Sequence, residues 1–278
     1  MEKLRILSNN IWWTGVNSPK WEARGEDCSP QHRSIGLAKT YAELEPDIIG
    51  LQESAAVLTD NVTIQLKKAT QIPYALLWGR DTPILYRTDK FDLVDSYFDV
   101  YPEEVPGFEG SFNNLNTKSY CIAVLKSKQT GKLLIFATTH VWYMLESQQT
   151  GSNTARKYQL GIAMAKIEDF IKKYNCPAIL VGDFNAYYNS DEVQSVVQNG
   201  YTQAYFLATQ HRDETCGYHI CNGDRYEGFE EKKTFYEAID QFFLKGFEDG
   251  AVKNFDRHYP EYYYPLSDHF PLYIDMEF

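Results

Sequence analysis

The sequence predicts a layered α/β protein, with sheet packed on sheet and helices outside. Short apolar runs of strand length alternate with segments of helical periodicity in both halves of the chain. These runs end repeatedly in polar residues, and no linker or low-complexity segment divides the sequence, so residues 1–278 are read as a single domain.

The elements follow in order. "LRILSNNIW" reads as a strand entering the core, and "QHRSIGLAKTYAELEP" carries apolar residues at helical spacing until Pro46 stops it. "DIIGLQES" has strand length and ends in Gln52 and Glu53. Residues 55–69 read as a helix, and "TPILYRTDKFDLV" as paired short strands. Residues 95–117, with two Pro and two Gly, are expected to form a long loop, a feature more often functional than idle. "SYCIAVLKS" and "KLLIFATTH" read as strands joined by the turn "KQTGK", followed by a helix near 155–174 and the strand "AILVGDFNA". A Cys/Gly/Asp-rich loop is expected at 210–233, and "EAIDQFFLKG" and "HFPLYIDMEF" read as the last strands.

Composition narrows the function classes. Hydrophobic residues at 44% and charged residues at 23% describe a globular chain rather than a disordered or multi-span one. "MEKLRILSNNIWW" enters a strand pattern without a cleavable signal, so the expectation is a cytoplasmic protein without membrane insertion. The net charge of −11 and the lack of a Lys/Arg stripe weigh against a dedicated duplex-binding protein. A small phosphate-bearing substrate stays compatible, because an acidic site can recruit a divalent cation. The five cysteines suggest reduced thiols. Cys216, His219 and Cys221 lie close together in "TCGYHIC", but spacing identifies no fourth metal ligand, which favours free thiols in a loop.

The polar residues that end apolar runs are Asn10, Glu53, His140, Asp183, Asn185, Asp240, Asp268 and His269. In "ILVGDFNA" an extended chain would project Asp183 and Asn185 to one side while Phe184 points into packing. Asp-x-Asn is equally ordinary turn chemistry. Recurrence at many strand ends carries more weight, since clefts at strand termini are where layered α/β folds place their sites.

These residues resemble the endonuclease/exonuclease/phosphatase superfamily, the deoxyribonuclease I-like proteins. The matching segments are "LSNNIW", "PDIIGLQES", "TTHVWY" with "ARKYQLGIA", "ILVGDFNA", "AIDQFFL" and "LSDHFPL", in the family's order and spread from Leu4 to Phe278. The resemblance implies a four-layer α/β sandwich with two stacked mixed β-sheets flanked by helices. It implies a hydrolase that needs Mg²⁺ or Mn²⁺, with Asn10, Glu53 and Asp268 as metal residues and Glu53 the strongest of them. By the same resemblance His140 contacts the scissile phosphate. Asp183 and Asn185 orient the nucleophile or protonate the leaving group, and His269 pairs with Asp240 as general base or phosphate-binding acid.

Aromatic residues flank the motifs: Trp12, Trp13, Trp142, Tyr143 and "HYPEYYYP". They could stack a base or sugar or cage a quaternary ammonium, or simply fill core and rim in a chain with 21 Tyr. Trp142 and Arg156 are candidate substrate-binding residues, although Arg156 and Gln159 also fit a supporting role, and Lys118 reads as a solvated lysine. The expected activity is metal-assisted hydrolysis of a small or single-stranded phosphoester by a phosphodiesterase. A nuclease acting on DNA or RNA is the alternative that charge disfavours, and a non-catalytic binding module the alternative that the retained polar set disfavours. No obligatory protein partner is implied.

Overall fold

The structure, a computed structural model, describes residues 1–13, 23, 25–210 and 237–278. Cys216, His219 and Cys221, and all but the first residue of the loop expected at 210–233, lie outside them. Strands β1 (Lys3–Asn10), β2 (Ile48–Gln52), β3 (Tyr74–Leu77), β4 (Ile84–Arg87), β11 (Val252–Arg257) and β12 (Leu272–Glu277) form one mixed sheet in the order β11-β12-β1-β2-β4-β3. Strands β5 (Phe91–Val100), β6 (Ser119–Ser127), β7 (Leu133–His140), β8 (Ala178–Asp183), β9 (Thr202–Gln203) and β10 (Asp240–Lys245) form the other, in the order β5-β6-β7-β8-β10-β9. Each sheet has one parallel pair near its middle, β1 with β2 and β7 with β8, and antiparallel neighbours elsewhere.

Alternation along the strands builds the layers. Ile6, Ile48, Phe136, Ile179, Val181 and Phe242 point between the sheets and form the central core. Their neighbours Leu7, Ile49 and Leu51 point outward against helices α1 (Pro30–Leu44) and α2 (Ala56–Ala69). Ile135, Ala137, Leu180 and Phe243 pack outward against α3 (Ser152–Tyr174) and α4 (Asp191–Gln198). The result is a four-layer α/β sandwich. Helix α1 begins as its sequence dictates, with Ser29 Oγ accepting from His32 N at 3.3 Å and Pro30 in the first turn, and ends at Glu45 in the left-handed region before Pro46. No helix among the described residues is long and apolar enough to cross a membrane.

Two element readings are corrected. "TPILYRTDKFDLV" does hold two strands, but β4 and β5 belong to different sheets, so the chain crosses the sandwich between Arg87 and Phe91 rather than forming a hairpin. The loop expected at 95–117 begins only at Tyr101, because β5 pairs with β6 from Phe91 to Val100. As an edge strand β5 needs one neighbour and little apolar patterning. Its Asp92, Asp95 and Asp99, with a bulge between Leu93 and Asp95, suit an edge that must not recruit another strand.

Candidate active site

The same alternation that fills the core with Ile and Phe delivers polar residues to one end of it. Ser8, Gln52 and Thr138 occupy inward positions near the ends of β1, β2 and β7. Gln52 Nε2 donates to Ser8 Oγ at 3.2 Å and to Thr138 Oγ1 at 2.8 Å, tying the two sheets together. One step beyond this polar row stand Asn10, His140, Asp183 and Asp240. His140 and Asp240 both lie opposite Asp183 on the neighbouring strands.

Asp183 is the centre, 2% exposed. Its Oδ2 accepts from Asn10 Nδ2 at 3.0 Å across the sheets and lies 3.6 Å from His140 Nε2 and 3.8 Å from His269 Nε2. Its Oδ1 accepts from Asn185 N at 2.8 Å. Strand β8 has ended by then, and Asn185 sits at φ 48°, with its Nδ2 donating to the Val141 carbonyl at 3.1 Å. The expectation that strand alternation brings Asp183 and Asn185 to one side is therefore replaced by a turn. The Asx-type contact of Asp183 to the backbone is part of the site rather than an alternative to it.

Both histidines are oriented by buried carboxylates. His269 Nδ1 donates to Asp240 Oδ2 at 2.7 Å, and His140 Nδ1 donates to Asp81 Oδ2 at 2.7 Å. Burial disfavours a charged His269, but the Asp240 carboxylate outweighs it, aided by Asp268 and Asp183, and raises the imidazole to about 10. Burial also holds Asp240 above the ordinary carboxylate range, so the two groups share a site that favours retaining a proton on the pair.

Asp81 was not among the residues expected from sequence. It lies in a tight turn before β4, one residue ahead of the run "TPILYRTDKFDLV" that sequence marks as strands. Lys118 was read as solvated, yet it is 5% exposed, with its Nζ 2.6 Å from His140 Nε2. The loop that ends at Lys118 thus brings its side-chain nitrogen into the polar corner beside His140.

Glu53 directly follows β2 at φ 54°, which turns its carboxylate away from the side that strand alternation would give it. Oε2 accepts from Trp13 N at 3.1 Å, and Oε1 lies 3.8 Å from His140 Nε2. Burial pushes this carboxyl up, but His140 and Lys118, with the Trp13 amide and His269, bring it down to about 2. Asn10 Oδ1 accepts from Trp12 N at 3.0 Å and retains a second lone pair. Asp268 stands beside His269, close enough to act on its charge and on that of Arg33.

Among the described residues, two sets of groups have ligand atoms that all lie within 4.8 Å of one another: Glu53, His140 and Asp183, and Asp183, Asp240 and His269. An ionised glutamate, a second carboxylate and an amide oxygen are hard oxygen donors, which suit Mg²⁺ or Mn²⁺ better than a thiophilic metal.

Arg33 positions the loops that carry these groups. It is 1% exposed and donates to the carbonyls of Ile11, Trp12 and Leu266. One guanidinium thereby ties the segment after Asn10 to the segment before Asp268 and His269.

The two candidate substrate contacts sit elsewhere. Trp142 is 2% exposed and packs edge-on to Phe112 with centroids 5.9 Å apart, so it is core. Arg156 is 4% exposed, with Nε donating to Glu192 Oε1 at 3.1 Å and Nη1 to the Met144 carbonyl at 2.7 Å. Gln159 supports the same region, accepting from Trp142 N at 2.8 Å. Arg156→Ala would leave Glu192 buried and unpaired, with an expected loss of about 3 kcal/mol in a denaturant titration.

No curated protein is matched by the chain. Among solved structures, an endonuclease/exonuclease/phosphatase family protein from Bacteroides thetaiotaomicron superposes with a TM-score of 0.73 at 22% identity, covering 99% of this chain and 98% of the other. The mannosyl-6-phosphatase of Bacteroides thetaiotaomicron VPI-5482 gives 0.72 at 23%, covering 99% and 100%. The D. rerio TDP2 complexed with single strand DNA product gives 0.66 at 18%, covering 100% of both. At these identities the likeness is one of fold. The sequence model of the Endonuclease/Exonuclease/phosphatase family matches residues 10–269, and the chain belongs to that family.

Proposed function

We propose that the protein is a divalent-metal-dependent phosphoester hydrolase that cleaves a small or single-stranded phosphoester by attack of water. The observation that carries this reading is Asp183 Oδ2. It is a buried carboxylate oxygen held by Asn10, flanked by two imidazole Nε2 atoms and grouped with the Glu53 carboxylate. Burying so many ionisable groups at one point is costly, and a structural role would be filled by apolar residues at less cost.

When bound, Mg²⁺ or Mn²⁺ would neutralise charge on the phosphoryl oxygens, with Glu53, Asn10 and Asp268 holding it. Asp183 is placed to handle the proton of the attacking water, and Asn10 keeps its Oδ2 aimed at the centre. His269 Nε2 and Lys118 Nζ present N–H groups to the non-bridging oxygens, where preorganised donors lower the barrier as charge develops. Asp240 and Asp81 fix the imidazoles and leave Nε2 toward the centre.

The test is hydrolysis of aryl phosphodiesters, phosphomonoesters, oligonucleotides and choline phospholipids with Mg²⁺, Mn²⁺ or a chelator. Turnover is expected to require metal and to fall by at least about a hundredfold in Glu53→Ala and in His269→Ala, with cooperative unfolding retained. Wild-type rates in both variants would sink the assignment. Salt-sensitive binding to oligonucleotides would move the substrate to nucleic acid, the class bound by one fold neighbour.

A further inference from the structure

A cavity of about 300 Å³ opens beside the site, walled by Trp13, Ser54, Trp78, Arg80, Asp81 and Leu115. Its walls are tied to the catalytic groups. Trp13 N donates to Glu53, Ser54 follows Glu53 in the chain, and Asp81 holds His140. The two indoles are unusually open for tryptophan, at 41% exposed for Trp13 and 58% for Trp78, and Leu115 is 59% exposed. Trp78 is nevertheless braced, edge-on to Phe98 with ring centroids 5.0 Å apart.

Arg80 occupies an improbable backbone position. It lies at φ 51° in a turn closed by the Thr82 N–H to the Gly79 carbonyl at 2.8 Å. The turn sends Asp81 inward to His140 and leaves Arg80 exposed on the cavity wall. Among the described residues its guanidinium makes one hydrogen bond, a long one, 3.4 Å from Nη2 to the Leu115 carbonyl. A guanidinium offers donors only, so it suits a ligand edge rich in acceptors.

Resting on the hydrolase reading above, we propose that this cavity receives the ring of a ring-bearing phosphoester. The ring, a sugar or a nucleobase, lies on the indoles of Trp13 and Trp78 and turns its acceptor edge to Arg80, while the phosphoryl group reaches Asp183. The size favours one compact ring over a lipid chain or a duplex, since ligand cavities start near this volume. Stacking on an indole is available to either ring type, and Arg80 supplies orientation.

Equilibrium binding separates this proposal from the chemistry. Intrinsic tryptophan fluorescence and calorimetry, with Mg²⁺ present, would compare adenosine monophosphate, glucose 6-phosphate and ring-free glycerol 3-phosphate. The wild type is expected to bind at least one ring-bearing ligand about tenfold more tightly than glycerol 3-phosphate. Trp78→Ala should reduce that preference to about twofold or less, and Arg80→Ala should weaken the ring-bearing ligand several-fold. Both side chains are exposed, so circular dichroism and melting curves should match the wild type. Preference for the nucleotide identifies a base, and preference for the hexose phosphate a sugar. Equal affinity for all three in the wild type, or a preference untouched by both substitutions, overturns the proposal even where turnover is intact. A preference that Trp78→Ala removes, in a protein without hydrolytic activity, would uphold the cavity and overturn the hydrolase reading instead.

Discussion

Asp183→Asn is expected to lower kcat by about a thousandfold, because proton handling by a positioned carboxylate contributes roughly 10² to 10⁴. The substitution keeps the volume and one carbonyl oxygen. That oxygen can still accept from Asn185 N, now 2.8 Å from Oδ1. The new amide nitrogen then meets Asn10 Nδ2, which donates to Oδ2 at 3.0 Å, and two donors face each other. The structural cost is about 1–3 kcal/mol, a fraction of the stability of a domain this size. Activity should therefore disappear in a protein that still unfolds cooperatively, and a melting curve beside the rate measurement checks that split. Combining Asp183→Asn with His269→Ala should add far less than the product of the single losses, since the two groups serve one step. A variant retaining a tenth of the wild-type rate would remove Asp183 from the centre of the reaction.

The inward residues of the site were legible because strands have a period of two. Asn10 shares the face of Leu4 and Ile6, His140 that of Leu134 and Phe136, and Asp183 that of Ile179 and Val181. A reader who marks the apolar inner face also marks the polar residue that ends it. Glu53 breaks the rule. Its place at the end of the apolar run "DIIGLQES" marked it as a candidate, but its φ of 54° redirects the side chain, so alternation alone misplaces it. Asp81 and Lys118 left no periodic trace. One lies in a turn and the other at the end of a long loop, and their partner His140 is 59 and 22 residues away. Arg156 misled for a related reason: an arginine on a helix near a motif reads the same whether it meets a ligand or, as here, a buried glutamate and two carbonyls.

The residue before Asp183 carries the largest expected effect on the fold. Gly182 lies at φ 147°, a conformation that L side chains rarely adopt, and pairs with Thr139 in the parallel β7–β8 ladder. A Cβ added there would stand 1.9 Å from the Thr139 carbonyl oxygen and 2.9 Å from its nitrogen. Backbone cannot swing aside as a side-chain tip can, so Gly182→Ala must push β7 from β8 or force the chain out of its conformation. Strain of about 1–3 kcal/mol from the backbone and a comparable overpacking cost together approach the stability of an ordinary domain. The expected result is a melting temperature lower by roughly 10 °C or more, or failure to accumulate as folded protein. Gly50→Ala is the control for mere crowding, since its added Cβ would meet only side-chain atoms of Val181, Thr138 and Phe136, at 2.9–3.1 Å. It should cost less than Gly182→Ala. Where Gly182→Ala does fold, activity should still fall. The close approach of the two strands at Thr139 and Gly182 is what sets the next pair, His140 and Asp183, 3.6 Å apart. Equal melting temperatures for Gly182→Ala and wild type would mean that the ladder yields at this point, and the glycine in "VGDFNA" would then owe its place to something other than the pinch between β7 and β8.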